Sequence, residues 1–157
     1  MSIAEISEGC IESGSEARTR QLGNRVGEVL DLGESVLLVG SLGAGKTCLT
    51  RGIAQGLNVE EHARVRSPSF SLVHLYKGRL DLYHVDLYRL SEGEIPGLAM
   101  EEIWDGGGVL VIEWAERMGP ALVPPRSLWI RMEHTGNPGT RRISWGSQLP
   151  SATPGHW

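Results

Sequence analysis

Along residues 15–32 the apolar side chains Leu22, Val26, Val29 and Leu30 recur at helical spacing, with Ser13 or Ser15 as the N-cap and Gly33 placed to end the helix. The pattern then changes to an unbroken apolar run, Val36-Leu37-Leu38-Val39, which predicts a short strand buried on both faces. Leu49, Ile53 and Leu57 mark one face of a second helix ending near Asn58. Residues 70–76 and 79–88 read as two strands joined at Lys77-Gly78, hence an antiparallel hairpin. Ser91 is placed to cap a short helical segment through Trp104, interrupted by Pro96 and Gly97 and ended by three glycines from Gly106. Val109-Leu110-Val111-Ile112 repeats the buried-strand pattern and ends in Glu113-Trp114. Alternation at Leu128, Ile130 and Met132, and again at Ile143 and Trp145, predicts a second hairpin.

Helices alternating with buried strands, together with two hairpins, predict an α/β fold with a mixed sheet flanked by helices. The 157 residues suffice for one domain, expected over 15–146. Residues 1–14 lack a period and are expected to be flexible, and the Pro/Ser/Gly-rich stretch 147–157 is expected to be disordered.

The two apolar strands frame the chemistry. Residues 40–47, Gly-Ser-Leu-Gly-Ala-Gly-Lys-Thr, follow the first strand and open the second helix; this is the G-x-x-x-x-G-K-[ST] phosphate-binding P-loop in its strand–loop–helix setting. Backbone N–H groups of Gly43, Ala44, Gly45 and their neighbours cradle phosphate oxygens, and the helix N-terminus favours the anion. Lys46 supplies charge to the terminal phosphates and Thr47 a hydroxyl to Mg²⁺. A Mg²⁺ site needs an acid at the end of a neighbouring strand, and Glu113 has that place. Asp86 is out of keeping with the strand formers around it; it either orients water or the metal shell, or it is a hydrogen-bonded strand-end residue. His84 shares its face if the segment is extended. Ser67 and Ser69 flank Pro68 in an ordinary Ser-Pro turn by pattern alone. The tryptophans read as core or interface residues.

Charge and composition narrow the partners. The formal net charge is −4 and Lys46 and Lys77 are the only lysines, which argues against tight, direct nucleic-acid binding. No apolar run is long enough for a membrane span, the acidic N-terminus is unlike a secretory signal, and the expected location is the cytoplasm. Cys10 and Cys48 show no zinc spacing, and Cys48 is expected to be a reduced, packed thiol.

Four linked segments resemble the TsaE family of bacterial ATPases: residues 40–47, residues 66–70 (Arg-Ser-Pro-Ser-Phe), residues 83–90 (Tyr-His-Val-Asp-Leu-Tyr-Arg-Leu), and Ile112-Glu113-Trp114. Their order and spacing agree over about residues 15–145. The resemblance implies a small P-loop NTPase-like fold that binds ATP and Mg²⁺, with Thr47 and Glu113 on the metal and Asp86 as an essential acid beside Lys46. It raises Ser67 and Ser69 to switch candidates, and brings Cys48, Glu16 and the stretch ending at Arg141 toward the nucleotide. It further implies work with homologues of TsaD and TsaB in threonylcarbamoyladenosine (t6A) modification of tRNA, the tRNA being met indirectly, through the complex. Ser41, Cys48 and Ser69 depart from the family's usual Asp, Thr and Thr. The alternative is a small-molecule P-loop kinase, distinguished by a phosphorylated acceptor in place of free phosphate.

Overall fold

The structure is a computed structural model that describes residues 2–68 and 72–153. Seven strands form one sheet: β1 (Gly9–Ser13), β2 (Ser35–Gly40), β3 (Val73–Tyr76), β4 (Leu82–Asp86), β5 (Val109–Glu113), β6 (Ser127–His134) and β7 (Arg141–Gly146). Their order is β1-β7-β6-β2-β5-β4-β3. The four central strands β6, β2, β5 and β4 run parallel. Antiparallel partners extend this block on both sides, β7 and then β1 beyond β6, and β3 beyond β4. The mixed sheet predicted from the two hairpins is therefore present, with a parallel centre.

The apolar runs belong in that centre because both sheet faces are covered. Val36 and Leu38, with Val109 and Val111, face a core shared with helices α1 (Glu16–Val29) and α2 (Lys46–Gly56). The alternate residues Leu37, Val39, Leu110 and Ile112 face a second core built with Leu87, Leu90, Ile95, Met100 and Met118. Ser15 caps α1 by accepting a 3.1 Å bond from Arg18 N–H. The helix ends at Val29, short of Gly33, because Leu30 turns extended at φ −62°, ψ 137°.

The two helices meet backbone to backbone. Gly23 and Gly27 of α1 lie against Gly52 and Gly56 of α2, so that a methyl at Gly27 would strike the Ile53 carbonyl and one at Gly52 the Arg20 carbonyl. We expect Gly27→Val to lower stability by about 2–3 kcal/mol, since neither backbone can yield. In a domain of this size that is a fall in Tm of roughly 4–12 °C. A thermal melt unchanged from wild type would rule out this helix contact.

Four expectations are corrected. The described residues before Ser15 are not loosely held: β1 pairs with β7 through Gly9↔Trp145 to Ser13↔Arg141, and Ile3 is buried in the helix-side core. The stretch from Ser147 is tied to β6 as far as Thr153, through Arg131 Nε to the Pro150 carbonyl at 2.7 Å and Thr153 N–H to Glu133 Oε1 at 2.9 Å; residues 154–157 lie outside the described residues. The second strand of the first hairpin begins at Leu82, not residue 79, because Arg79 is pulled aside. Its N–H donates to the Leu57 carbonyl at 2.6 Å, and its guanidinium caps α1 through the carbonyls of Gly27 and Leu30 at 2.8 and 3.0 Å. No regular helix starts at Ser91; Pro96 and the glycines leave a 3₁₀ turn, Ile95–Leu98, and a wide turn, Ile103–Gly107, in which Gly106 adopts φ +126°. The start of the first predicted hairpin strand, at residues 70–71, lies outside the described residues.

Candidate functional site

The loop from β2 to α2 turns on two glycines with positive φ, Gly43 at +76° and Gly45 at +104°, a region that an L side chain rarely enters. Gly45 is the residue from which α2 starts, so the free N–H groups of the helix open toward the loop. Lys46, only 6% exposed, folds its ammonium back to the carbonyls of Gly40 and Ser41 at 2.5 and 2.9 Å. Burial pulls its pKa below the ordinary lysine value, against the upward pull of the Glu113, Glu116 and Asp86 carboxylates.

Strand register brings the acids to this loop. β5 lies beside β2 with Leu38 opposite Glu113, and β4 lies beside β5 with Asp86 opposite Glu113. Thr47 donates its hydroxyl to Glu113, at 2.9 Å from Oε1 and 3.3 Å from Oε2. Thr50, one helical turn on, donates to the Lys46 carbonyl at 2.9 Å and reaches Glu113 Oε1 at 3.4 Å. Asp86 accepts from the Ser67 hydroxyl on Oδ2 and from Tyr88 N–H at 2.8 Å on Oδ1. Ser69 lies outside the described residues. Together Gly43, Ala44, Gly45, Lys46, Thr47, Cys48, Ser67, Asp86 and Glu113 border one cleft of about 430 Å³.

Glu16 and Arg141 approach the same loop from its outer side. Arg141 donates to the Gly43 carbonyl at 3.2 Å, and the Cys48 thiol meets the Glu16 carbonyl at 3.4 Å. Cys48 is a free, half-buried thiol whose pKa is pushed up by burial and by the Glu16 carboxylate.

The pattern of the chain did not mark Trp114 and Tyr88 for this site. Trp114 takes a left-handed backbone, φ +60° and ψ 39°, a strained position for a bulky residue. That turn lays its indole 4.1 Å from the Lys46 ammonium and 4.8 Å, centroid to centroid, from the Tyr88 ring. The tryptophan was legible as an aromatic next to a strand end, yet nothing in its neighbourhood announced the turn. His84 lies on extended β4 with Asp86 and is fully buried, its Nε2 3.3 Å from Glu113 Oε1.

The oxygen donors of Thr47 and Glu113, with Asp86 one strand away, are the hard ligands that Mg²⁺ takes. Among the described residues no group of three or more His, Cys, Asp or Glu side chains could hold a metal on its own. Among the described residues no helix is long and apolar enough to cross a membrane.

The chain is similar to known proteins. The sequence profile of the family described as "Threonylcarbamoyl adenosine biosynthesis protein TsaE" matches residues 13–143. Proteins named tRNA threonylcarbamoyladenosine biosynthesis protein TsaE are similar to the chain. That of Treponema pallidum is 44% identical over 111 residues, covering 70% of this chain and 81% of the relative. That of Mycobacterium tuberculosis is 36% identical over 138 residues, covering 81% and 80%. That of a Nostoc species is 46% identical over 105 residues, and here the chain spans only 64% of the relative's length. In structure the chain is similar to Bacillus subtilis YdiB, with a TM-score of 0.71 and 28% identity over 88% of this chain and 84% of that one.

Proposed function

The chain belongs to the TsaE family of threonylcarbamoyladenosine biosynthesis proteins, and from that premise we propose that it is a Mg²⁺-dependent ATPase. In this reading its fold is a small P-loop NTPase-like fold, and it works in the cytoplasm as an accessory of the TsaD–TsaB transferase that makes t6A in tRNA. It meets the tRNA through that complex. The observation that carries the reading is the contact between Thr47 and Glu113 across the glycine loop, with Lys46 and Asp86 in the same cleft. It supplies a phosphate cradle, a cation, a metal-side carboxylate and a second acid within one set of neighbouring strand ends.

The chemistry follows from these groups. The backbone N–H groups of residues 43–47 hold the β- and γ-phosphates. Lys46 exchanges the Gly40 and Ser41 carbonyls for phosphate oxygens, moving from under the Trp114 indole as it does so. Thr47 and Glu113 would hold Mg²⁺, which would supply positive charge to the transferring phosphoryl group. Asp86, steadied by Ser67 and Tyr88 N–H, orients the attacking water. Arg141 and Glu16 flank the nucleotide from the outer side of the loop.

The isolated chain is expected to hydrolyse ATP slowly and to speed up with its partners. Arg141 is turned to the Gly43 carbonyl, and Arg117 lies over the Tyr88 and Trp114 rings. An arginine finger supplied in trans accelerates such reactions by about 10³–10⁵. The assay compares single-turnover phosphate release alone and with TsaD, TsaB and tRNA. A rate that does not respond to the partners rejects the accessory role. A phosphorylated acceptor in place of free phosphate replaces it with the kinase reading.

A further inference from the structure

His84 is fully buried on β4, 0% exposed, and among the described residues neither ring nitrogen has a hydrogen-bond partner of good geometry. Its Nε2 lies 3.3 Å from Glu113 Oε1, on a carboxylate only 2% exposed. Burying an imidazole with an unpaired nitrogen opposes folding, and an apolar ring of similar size would fill the space without that penalty. The contact with Glu113 is what such a residue can offer in return.

The distances around Glu113 are uneven. Oε1 is approached by the Thr47 hydroxyl at 2.9 Å, by His84 Nε2 at 3.3 Å and by the Thr50 hydroxyl at 3.4 Å. Oε2 takes only the 3.3 Å contact from Thr47 among the described residues. His84 and Thr50 reach the carboxylate from different elements, β4 and α2, and both are 0% exposed. Both therefore lie against one oxygen from the buried side, the Thr50 proton itself being given to the Lys46 carbonyl at 2.9 Å.

We infer that His84 is a positioning residue: its Nε2, packed against Oε1, fixes the Glu113 carboxylate with Oε1 turned to the Thr47 hydroxyl and Oε2 left for a divalent cation. This rests on the metal-side reading of Glu113. His84 touches neither the nucleotide nor the metal; it acts through the orientation of one carboxylate. Residues that hold a metal-binding carboxylate in this manner typically set its affinity by about 10–100-fold.

The test titrates Mg²⁺ calorimetrically into the full chain saturated with a non-hydrolysable ATP analogue, and records Tm alongside. His84→Phe is expected to weaken Mg²⁺ by about tenfold or more, while Tm stays at or above wild type and analogue affinity without Mg²⁺ is unchanged. His84→Gln, whose amide nitrogen reaches the place of Nε2, is expected to stay near wild type. His84→Asn, whose amide reaches the place of Nδ1 instead, is expected to be weak. Wild-type Mg²⁺ affinity in a folded His84→Phe overturns the inference. If His84→Phe does not fold, equal affinities of the Gln and Asn variants overturn it. A parallel Glu113→Gln variant separates the two readings: if it too binds Mg²⁺ as wild type does, the metal role of Glu113 falls and takes the inference with it. If only Glu113→Gln is weakened, the inference about His84 fails alone.

Discussion

Lys46→Ala is expected to bind ATP about a hundredfold more weakly than wild type and to lose measurable hydrolysis. A charge-assisted hydrogen bond contributes about 1.5–3 kcal/mol, and Lys46 is placed to make at least one of them to the terminal phosphates. No other lysine lies in the loop. The side chain is also bound into the resting site, through the Gly40 and Ser41 carbonyls and the Trp114 indole. Truncation therefore leaves two carbonyls without that donor and an indole without its cation, and a loss of Tm is expected as well. Lys46→Met separates the two effects, because it keeps most of the aliphatic stem. Calorimetric titration with MgATP checks the affinity of both variants. Unchanged binding in both would mean that residues 40–47 are a glycine-rich turn and not a phosphate site.

Asp86→Asn should leave nucleotide binding nearly intact and lower hydrolysis by about 10²–10⁴-fold, the range of a lost general base or water-orienting group. The substitution is chosen to spare the fold. An asparagine oxygen still accepts from Tyr88 N–H, which Asp86 Oδ1 accepts at 2.8 Å, while the charge that meets the Ser67 hydroxyl is removed. Downstream, multiple turnovers of t6A formation with TsaD, TsaB, tRNA and the threonylcarbamoyl donor should fall to about one product per complex. Product counts per complex, measured beside single-turnover phosphate release, decide the point. Full turnover with Asp86→Asn, or without the chain at all, would remove the accessory ATPase from consideration. Hydrolysis lost together with analogue binding would make Asp86 a structural residue of the β4 end.

What could be read from the chain was what its neighbours in sequence determine. The runs at Val36 and Val109 are apolar on both alternating faces, and only a covered sheet centre satisfies that pattern. The glycine spacing of residues 40–47 and the carboxylate closing β5 are equally local. The illegible features depend on approach between distant segments. β1 contains one clear hydrophobe, Ile11, so its strand character comes from pairing with β7 and not from its own period. Gly23, Gly27, Gly52 and Gly56 are poor helix formers by propensity, whereas their lack of a side chain is what lets α1 and α2 touch. His84 carried a readable chemistry but an unreadable direction, since alternation gives the face of a strand and not the neighbour across it. Trp114 packs against the second core as its apolar character predicts, while its approach to Lys46 depends on one left-handed backbone angle. The stretch from Ser91 to Gly107 mixed a weak helical period with Pro96 and Gly97, and the breakers prevailed.

The pairing of β1 with β7 also sets an order of assembly. Gly9 faces Trp145 and Ser13 faces Arg141, so β1 has its partner far along the chain, after every other strand of the sheet. Closing so long a loop is entropically unfavourable until the rest of the sheet holds β7 in place. The parallel centre and the loop between β2 and α2 can be assembled while Gly9–Ser13 is still unpaired. During that interval β7 is an open edge, available to the wrong strand of another nascent chain. Synthesis at low temperature or low chain density should therefore favour soluble product, by giving one short amino-terminal strand the time to arrive.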